Sequence, residues 1–216
     1  VTGMVLFQRD LREMASGDIP YNMVGLSARG TYAFDSRYLA EVNIGYNGTE
    51  QFAPSNRFGF FPAFSLGWVI SNESFMDNLR NNGIISNLKL RASVGKVGND
   101  GLGSTRFLYL DNIDLQYHTS HIPSLGNGGK IYERMVGNKN IHWEVAWKQN
   151  YAVDLTLFDD LDLTFDYFIE DRSDILIERN TVPAISGLTS SQLPRVNMGE
   201  IKNKGYEITL DYNTDI

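Results

Sequence analysis

The chain has 216 residues, a net charge of -7 and no cysteine. The absence of cysteine excludes disulfides, thiolate zinc ligands and a thiol nucleophile. The negative charge, without any Lys/Arg cluster, argues against nucleic acid as a partner. No run of 18 apolar residues is present, so we predict no transmembrane helix.

The dominant pattern along the chain is an alternation of apolar and polar residues, which is typical of β-strands with two different faces. In chain order it predicts strands over 1–7, 22–34, 38–46, 60–70, 88–94, 150–157, 161–170 and 206–212. Asp35-Ser36 and Asp159-Asp160 are predicted tight turns, and Ser71 is predicted to cap a brief helix. We therefore expect an all-β, antiparallel up-and-down meander of about eight strands.

Connection lengths alternate along this predicted meander. The long connections are 9–21, 48–58, 98–143 and 178–197, and the short ones are 35–36, 71–84 and 159–160. In an up-and-down meander, alternate connections lie at the same end of the sheet. One end then carries long loops and the other tight turns, as in outer-membrane barrels. We predict a segment of a large transmembrane β-barrel.

Aromatic residues bracket the apolar face of two predicted strands. Tyr38 and Tyr46 are eight residues apart, and so are Phe60 and Trp68. Eight residues span about 26 Å along a strand, or roughly 20 Å of height at a membrane-barrel tilt. We predict that these four aromatics face lipid as girdle residues. The polar residues predicted to face the lumen are Arg29, Glu41, Asn43, Lys89, Arg91, Asp154, Asp166 and Glu207.

Several motifs resemble one known family, the SusC-like (SusC/RagA) TonB-dependent transporters of the Bacteroidetes. The matching stretches are RYLA at 37–40, FAPSNRFGFFP at 52–62, SLGWVISNE at 65–73, LKLRASVG at 88–95, WE at 143–144, NMGEI at 197–201 and NKGYE at 203–207. They follow the family's order over most of the chain.

The resemblance implies an outer-membrane barrel of about 22 strands that is plugged by a separate domain. It also implies import of oligosaccharides or peptides, energy from TonB, a SusD-like surface lipoprotein as partner and no enzymatic activity. We expect this chain to contain no plug, no TonB-contacting segment and no signal peptide. We therefore expect residues 1–216 to be one barrel segment that depends on the remaining barrel, the plug and outer-membrane lipid.

The long connection 98–143 is the expected ligand-binding region, because long loops in compact proteins are usually functional. Tyr109, Tyr117, Tyr132 and Trp143 are candidates for stacking on sugars or on a partner. Packing within the loop itself is an equally good interpretation of these four aromatics.

Other chemical patterns are interpreted as structural. Asp166 and Glu170 share a strand face and are read as lumen-wall polar residues rather than a glycosidase pair. His118 and His121, near Asp111 and Asp114, are read as solvated loop residues rather than metal ligands. We predict no catalytic residue, no metal and no cofactor.

Two alternatives remain open from the sequence. A soluble β-sandwich, such as a carbohydrate-binding or hydrolase domain, also has alternating strands, and its apolar residues would face a second sheet. A truncated gene product with no function of its own is the other.

Overall fold

A computed structural model describes residues 1–12, 20–101, 106–117, 130–179 and 192–213, and ten β-strands lie within these ranges. They are β1 (Thr2–Arg12), β2 (Tyr21–Phe34), β3 (Tyr38–Thr49), β4 (Phe58–Val69), β5 (Ile85–Asn99), β6 (Asn112–Tyr117), β7 (Lys130–Met135), β8 (Glu144–Leu157), β9 (Leu161–Ile177) and β10 (Val196–Tyr212). Two 3₁₀ turns (Ile70–Asn72 and Ser74–Met76) and the short helix α1 (Asp77–Asn81) connect β4 to β5.

Eight of these strands form one antiparallel sheet in the order β1-β2-β3-β4-β5-β8-β9-β10. Each strand pairs with its neighbour along the chain, and the β6–β7 hairpin forms a separate two-stranded sheet inserted between β5 and β8. The expected eight-stranded meander is confirmed. Its two edges are β1 and β10, and no strand of the described ranges pairs with their outer sides.

Two of the short connections are tight turns without glycine. Asp35 and Ser36 both have φ of 51°, and Phe158 and Asp159 have φ of 56° and 63°. Positive φ at both central residues is characteristic of the type I′ turn, whose twist matches that of the flanking strands. The predicted turn at Asp35-Ser36 is confirmed, and the second turn is centred one residue earlier than expected.

The β4–β5 connection differs from its prediction. Ser71 does not cap a helix, because it lies inside the first 3₁₀ turn and is buried. The helix α1 has five residues, begins after Met76 and has no side-chain cap.

The strands extend further toward the long-loop end than the alternation predicted. β9 reaches Ile177 instead of stopping near residue 170, and β10 begins at Val196 instead of Tyr206. The connection 98–143 is not simply a loop, since β5 occupies its start and the β6–β7 hairpin lies within it.

The buried side chains do not lie between two layers. Within the described residues, the largest apolar cluster is Phe52, Leu108, Ile141 and Trp143, at the end of the sheet where the long connections meet. Large apolar side chains on the sheet stay exposed, with Phe64 at 42% and Leu66 at 50%. Among the residues described, no helix has the length and hydropathy needed to cross a bilayer.

Candidate functional site

The sheet has one apolar face that runs across all eight strands. The register places Tyr38 directly opposite Trp68 and Tyr46 directly opposite Phe60, so the four predicted girdle residues share this face. The rings of Tyr38 and Trp68 are stacked, with centroids 6.5 Å apart. One cross-strand row of this face contains Tyr32, Ala40, Leu66, Ala92, Tyr151, Tyr167 and Tyr206.

The opposite face carries all eight residues predicted to face the lumen. Arg29 lies directly opposite Asn43, and its guanidinium is 2.6 Å from the Glu41 carboxylate two residues along β3. Lys89 lies opposite Asp154, and Asp166 lies opposite Glu207. This face therefore has the polar character that the alternation predicted.

An ion cluster joins three strands on the polar face. Arg91 donates two hydrogen bonds to Asp154, of 2.7 Å from Nε and 2.8 Å from a terminal nitrogen. Asp166 of the next strand lies 3.8 Å from the same guanidinium. Such a two-point contact fixes the relative position of both groups. The cluster thus links β5, β8 and β9 on the side away from the apolar face.

A second charged network lies on the same face nearer the long-loop end. Arg172 contacts Glu144 at 3.1 Å and Glu170 at 2.8 Å, and Lys148 lies 3.6 Å from Glu170. The sequence analysis missed this network, because Glu144 and Arg172 lie beyond the predicted ends of their strands. The positive and negative charges balance here, so the network is complete without any bound ion.

At the short-turn end, Glu73 organises the girdle. It is nearly buried and accepts hydrogen bonds from the Tyr38 hydroxyl (2.7 Å), the Trp68 indole (3.1 Å) and Arg37 (2.8 Å). The hydrogen bonds from Tyr38 and Trp68, together with Arg37, hold the pKa of Glu73 below its usual value. The carboxylate therefore fixes two girdle rings to the turn that follows β4.

At the opposite end, the aromatic cluster ties the long connections together. The Trp143 ring packs edge-on against Phe52 and Phe61, with centroids 5.6 Å and 5.1 Å away, and its indole donates to the Arg57 carbonyl oxygen at 3.0 Å. The Asn56 amide donates to the carbonyl oxygens of residues 139 and 141, at 3.2 Å each. The motif FAPSNRFG at 52–59 is therefore a loop-packing motif.

The four candidate ligand aromatics are placed differently by this geometry. Trp143 is only 6% exposed, which favours packing within the loops over stacking on a ligand. Tyr109 is half-buried and packs edge-on against Phe107, with centroids 6.3 Å apart. The backbones of Tyr117 and Tyr132 lie in the β6–β7 hairpin, but their side chains are outside what the structure describes.

The possible metal ligands do not form a site within the described residues. His118 and His121 lie outside those ranges, Asp111 accepts a hydrogen bond from the Gly137 amide at 2.7 Å, and Asp114 pairs with Arg134 at 2.7 Å. No group of three or more His, Asp or Glu side chains that could hold a metal is found among the residues described.

Comparison with known proteins identifies the family. The profile of the "TonB dependent receptor-like, beta-barrel" family matches residues 6–215. The chain belongs to the TonB-dependent receptor β-barrel family. This confirms the resemblance noted from its motifs.

Curated relatives of this TonB-dependent receptor segment are considerably longer than the chain. TonB-dependent receptor P39 of Formosa agariphila is 33% identical over 186 residues, which cover 86% of this chain and 16% of that protein. TonB-dependent receptor SusC of Bacteroides thetaiotaomicron is 26% identical over 202 residues, covering 93% of this chain and 19% of that protein. The chain thus spans about a sixth to a fifth of the length of these relatives.

Solved structures of a peptide importer and of a siderophore receptor share the fold. The RagAB peptide importer in its closed-closed state aligns with a TM-score of 0.74 and 22% identity, over 92% of this chain and 20% of that chain. The siderophore receptor PirA from Pseudomonas aeruginosa aligns with a TM-score of 0.54 and 13% identity, over 88% of this chain and 31% of that chain. The eight-stranded meander is therefore a barrel-wall architecture.

Proposed function

We propose that this chain forms part of the wall of an outer-membrane nutrient transporter. The observation that supports the proposal is the continuous apolar face, bounded by aromatic pairs and backed by an ionic, hydrogen-bonded face on the same eight strands. A membrane barrel needs this division, because alternate residues of each strand face lipid and lumen.

In this orientation, Tyr38, Tyr46, Phe60 and Trp68 face lipid. The eight residues predicted as lumen-facing line the interior, the long connections lie outside the cell and the tight turns lie in the periplasm. Residues 1–216 then act as one segment of a larger closed barrel. Pairing of the β1 and β10 edges with further strands is required, since unpaired backbone groups are not tolerated in lipid.

For the whole protein we propose import of oligosaccharides or peptides, driven through TonB, with a SusD-like lipoprotein as surface partner and without enzymatic chemistry. Relatives named TonB-dependent receptors and SusC support this, as does the likeness to a structure titled as a peptide importer. The remaining barrel and the plug are the other partners.

The soluble β-sandwich gains no support from the geometry. A sandwich needs a second sheet packed about 10 Å from the apolar face. Within the residues described, the only further sheet is the β6–β7 hairpin, which belongs to a connection at the long-loop end. Phe64 and Leu66, in the middle of β4, remain 42% and 50% exposed.

Membrane topology is tested by labelling single cysteines in the full-length protein. Val42 and Asn43 are neighbours on opposite faces of β3, and the segment has no cysteine of its own. In otherwise cysteine-free protein in native outer membranes, we expect Asn43→Cys to react with a water-soluble maleimide. We expect Val42→Cys to react only with a maleimide that partitions into lipid. Equal aqueous labelling of both variants would contradict the barrel orientation.

The transport proposal needs its own measurement. Cells lacking the gene are compared with complemented cells for uptake of labelled oligosaccharide and peptide mixtures, with and without functional TonB. We expect TonB-dependent uptake of one of the two classes in complemented cells. Equal uptake by both strains, with the protein present at normal levels in the outer membrane, would refute the import function.

A further inference from the structure

A cavity of about 540 Å³ opens on the polar face over β1 to β5 and β8. Its floor is made by small or apolar residues, among them Leu39 and Gly67, and its rim carries serines, threonines and three charged residues. The volume falls within the range of about 300–1,000 Å³ that is usual for small-molecule sites. The described residues that line this cavity include none of the four candidate ligand aromatics, Tyr109, Tyr117, Tyr132 and Trp143.

A row of hydrogen-bonding groups crosses this cavity. Ser65 lies directly opposite Ser93, and Ser93 lies directly opposite Asn150, so their side chains emerge side by side on the same face. Within the part of the chain that the structure describes, none of these three side chains forms a hydrogen bond to the protein. Three adjacent polar groups are therefore available to a ligand.

The charges around the cavity are paired, with one exception. Glu41 accepts hydrogen bonds from Arg29 at 2.6 Å and from Asn43 at 2.7 Å. Arg91 is held by Asp154 in the two-point contact described above.

Lys89 is the exception. It lies opposite Asp154 in the register, but that carboxylate is already engaged by Arg91. The Lys89 side chain instead passes over β4, with its Cε 3.6 Å from the position that a Cβ on Gly67 would occupy. Among the described residues no carboxylate pairs with its ammonium group. An unpaired positive charge thus lies beside the row of unpaired polar groups.

We propose that this cavity binds a carboxylate-bearing ligand, with Lys89 pairing with the carboxylate and the row Ser65, Ser93 and Asn150 binding adjacent polar groups. One ammonium group matches a monoanion. A dianion such as phosphate would keep one negative charge that no unpaired cation of the described cavity lining neutralises. The inference rests on the polar face being the lumen wall. The carboxylate comes either from a transported solute or from a part of the same protein inside the barrel.

The test measures acylation of individual lysines in the full-length protein by mass spectrometry. N-acetyl-trialanine, which has a free carboxylate, is compared with its C-terminal amide, which lacks only that charge. We expect the free-carboxylate probe to slow the acylation of Lys89 about tenfold and the amide probe to leave it unchanged. A hydrogen bond to a charged group typically contributes enough free energy for a difference of this size. Lys148, already paired with Glu170, is the internal control and should react equally with either probe.

A carbodiimide reaction on the same protein identifies an internal carboxylate. An amide cross-link between Lys89 and an Asp or Glu outside residues 1–216 would assign the site to the protein itself. Protection by the free-carboxylate probe, without any cross-link, would assign it to a solute. Equal acylation rates with both probes and no cross-link would overturn the proposal. Because none of these readouts measures transport, a failure here is distinguishable from a failure of the proposed function.

Two variants complete the test. For these variants the measured quantity is binding of the labelled free-carboxylate probe. Lys89→Arg keeps the positive charge and should still bind the probe, whereas Lys89→Gln should not. Both variants should remain heat-modifiable in gels, since Lys89 forms no ion pair or hydrogen bond with the described residues of this segment. Where the free-carboxylate probe protects Lys89 in the unmodified protein, equal probe binding by Lys89→Gln would also overturn the assignment.

Discussion

Trp143 offers the most direct test of how the long connections are held together. Its ring is 6% exposed and packs against Phe52 and Phe61, and its indole donates to the Arg57 carbonyl oxygen at 3.0 Å. Replacing it with alanine removes the centre of the cluster. Replacing it with phenylalanine keeps an aromatic ring there but removes the hydrogen bond.

Loss of the ring packing and loss of the indole hydrogen bond should differ in their effect on stability. Truncating a buried Trp to Ala typically costs roughly 3–5 kcal/mol, because a cavity remains where the ring was. Losing one hydrogen bond costs about 1 kcal/mol. At about 1.4 kcal/mol for each factor of ten, Trp143→Ala should raise the local opening equilibrium at least 100-fold, and Trp143→Phe about fivefold.

Hydrogen exchange in the full-length receptor, held in detergent micelles, measures this opening. The Asn138 amide donates to the Leu108 carbonyl oxygen at 2.9 Å, so its exchange reports the junction that the cluster holds. Amides in the middle of β5 and β8 should keep their protection in every variant. Trp147→Phe is the matched control, because Trp147 lies on the apolar face of β8, 45% exposed.

The relative exchange rates of the Asn138 amide in the three variants test whether the Trp143 ring holds the connections together. If Trp143→Ala exchanged at Asn138 no faster than Trp147→Phe, the ring would not be what holds the connections together. If Trp143→Phe were as damaging as Trp143→Ala, the hydrogen bond rather than the packing would dominate.

Two further predictions concern the two ends of the sheet. A Cβ on Gly98 would overlap the Phe61 ring, whereas a Cβ on Gly30 would meet nothing within 4 Å. Gly98→Ala should therefore lower the free energy of unfolding in urea by roughly 1–3 kcal/mol. The control Gly30→Ala should leave it unchanged or raise it slightly. Equal effects of the two substitutions would contradict the close packing of Gly98 against Phe61. Because the pKa of Glu73 is lowered in the folded state, its contribution to stability is complete above the unfolded value of about 4.3 and is lost as the pH falls through the folded pKa. Glu73→Gln should therefore be less stable than the unmodified protein at neutral pH and should lose less stability below pH about 4.3. The melting temperature of both proteins as a function of pH measures this, and parallel pH profiles would refute it.

The faces and strand order could be predicted from the sequence because alternation is local information. A one-residue shift in register would exchange the two faces, so a strand such as β3, with Val42 on the apolar face and Asn43 on the polar face, has one acceptable pairing. The eight-residue spacing of Tyr38 and Tyr46 and of Phe60 and Trp68 predicted an apolar face for each pair, whereas the pairing of Tyr38 with Trp68 follows from the register of the structure. The apolar–polar alternation, the turn residues and the lengths of the connections were therefore enough to predict most of the sheet.

The features that sequence reasoning missed depend on contacts between distant segments. Lys96 and Gln149 lie in the extension of the apolar face toward the long-loop end, so the alternation disappears there although the strands continue. The sequence predicted only a brief helix capped by Ser71 in this connection, and the role of Glu73 as acceptor for two girdle rings follows only from the folded turn. The β6–β7 hairpin has short, irregular pairing, with two shifts in register, and gives a weak local signal.

The long polar extensions of the strands have a consequence for what can reach the protein from outside. In β9 the apolar band ends near Ile169 and the strand continues to Ile177. Eight further residues add about 26 Å along the strand, or roughly 20 Å of height at a membrane-barrel tilt. In the proposed orientation, the paired long-loop ends of β9 and β10 therefore stand well above the lipid surface. Antibodies or phage tails too large to enter the lumen can contact this region without touching the bilayer.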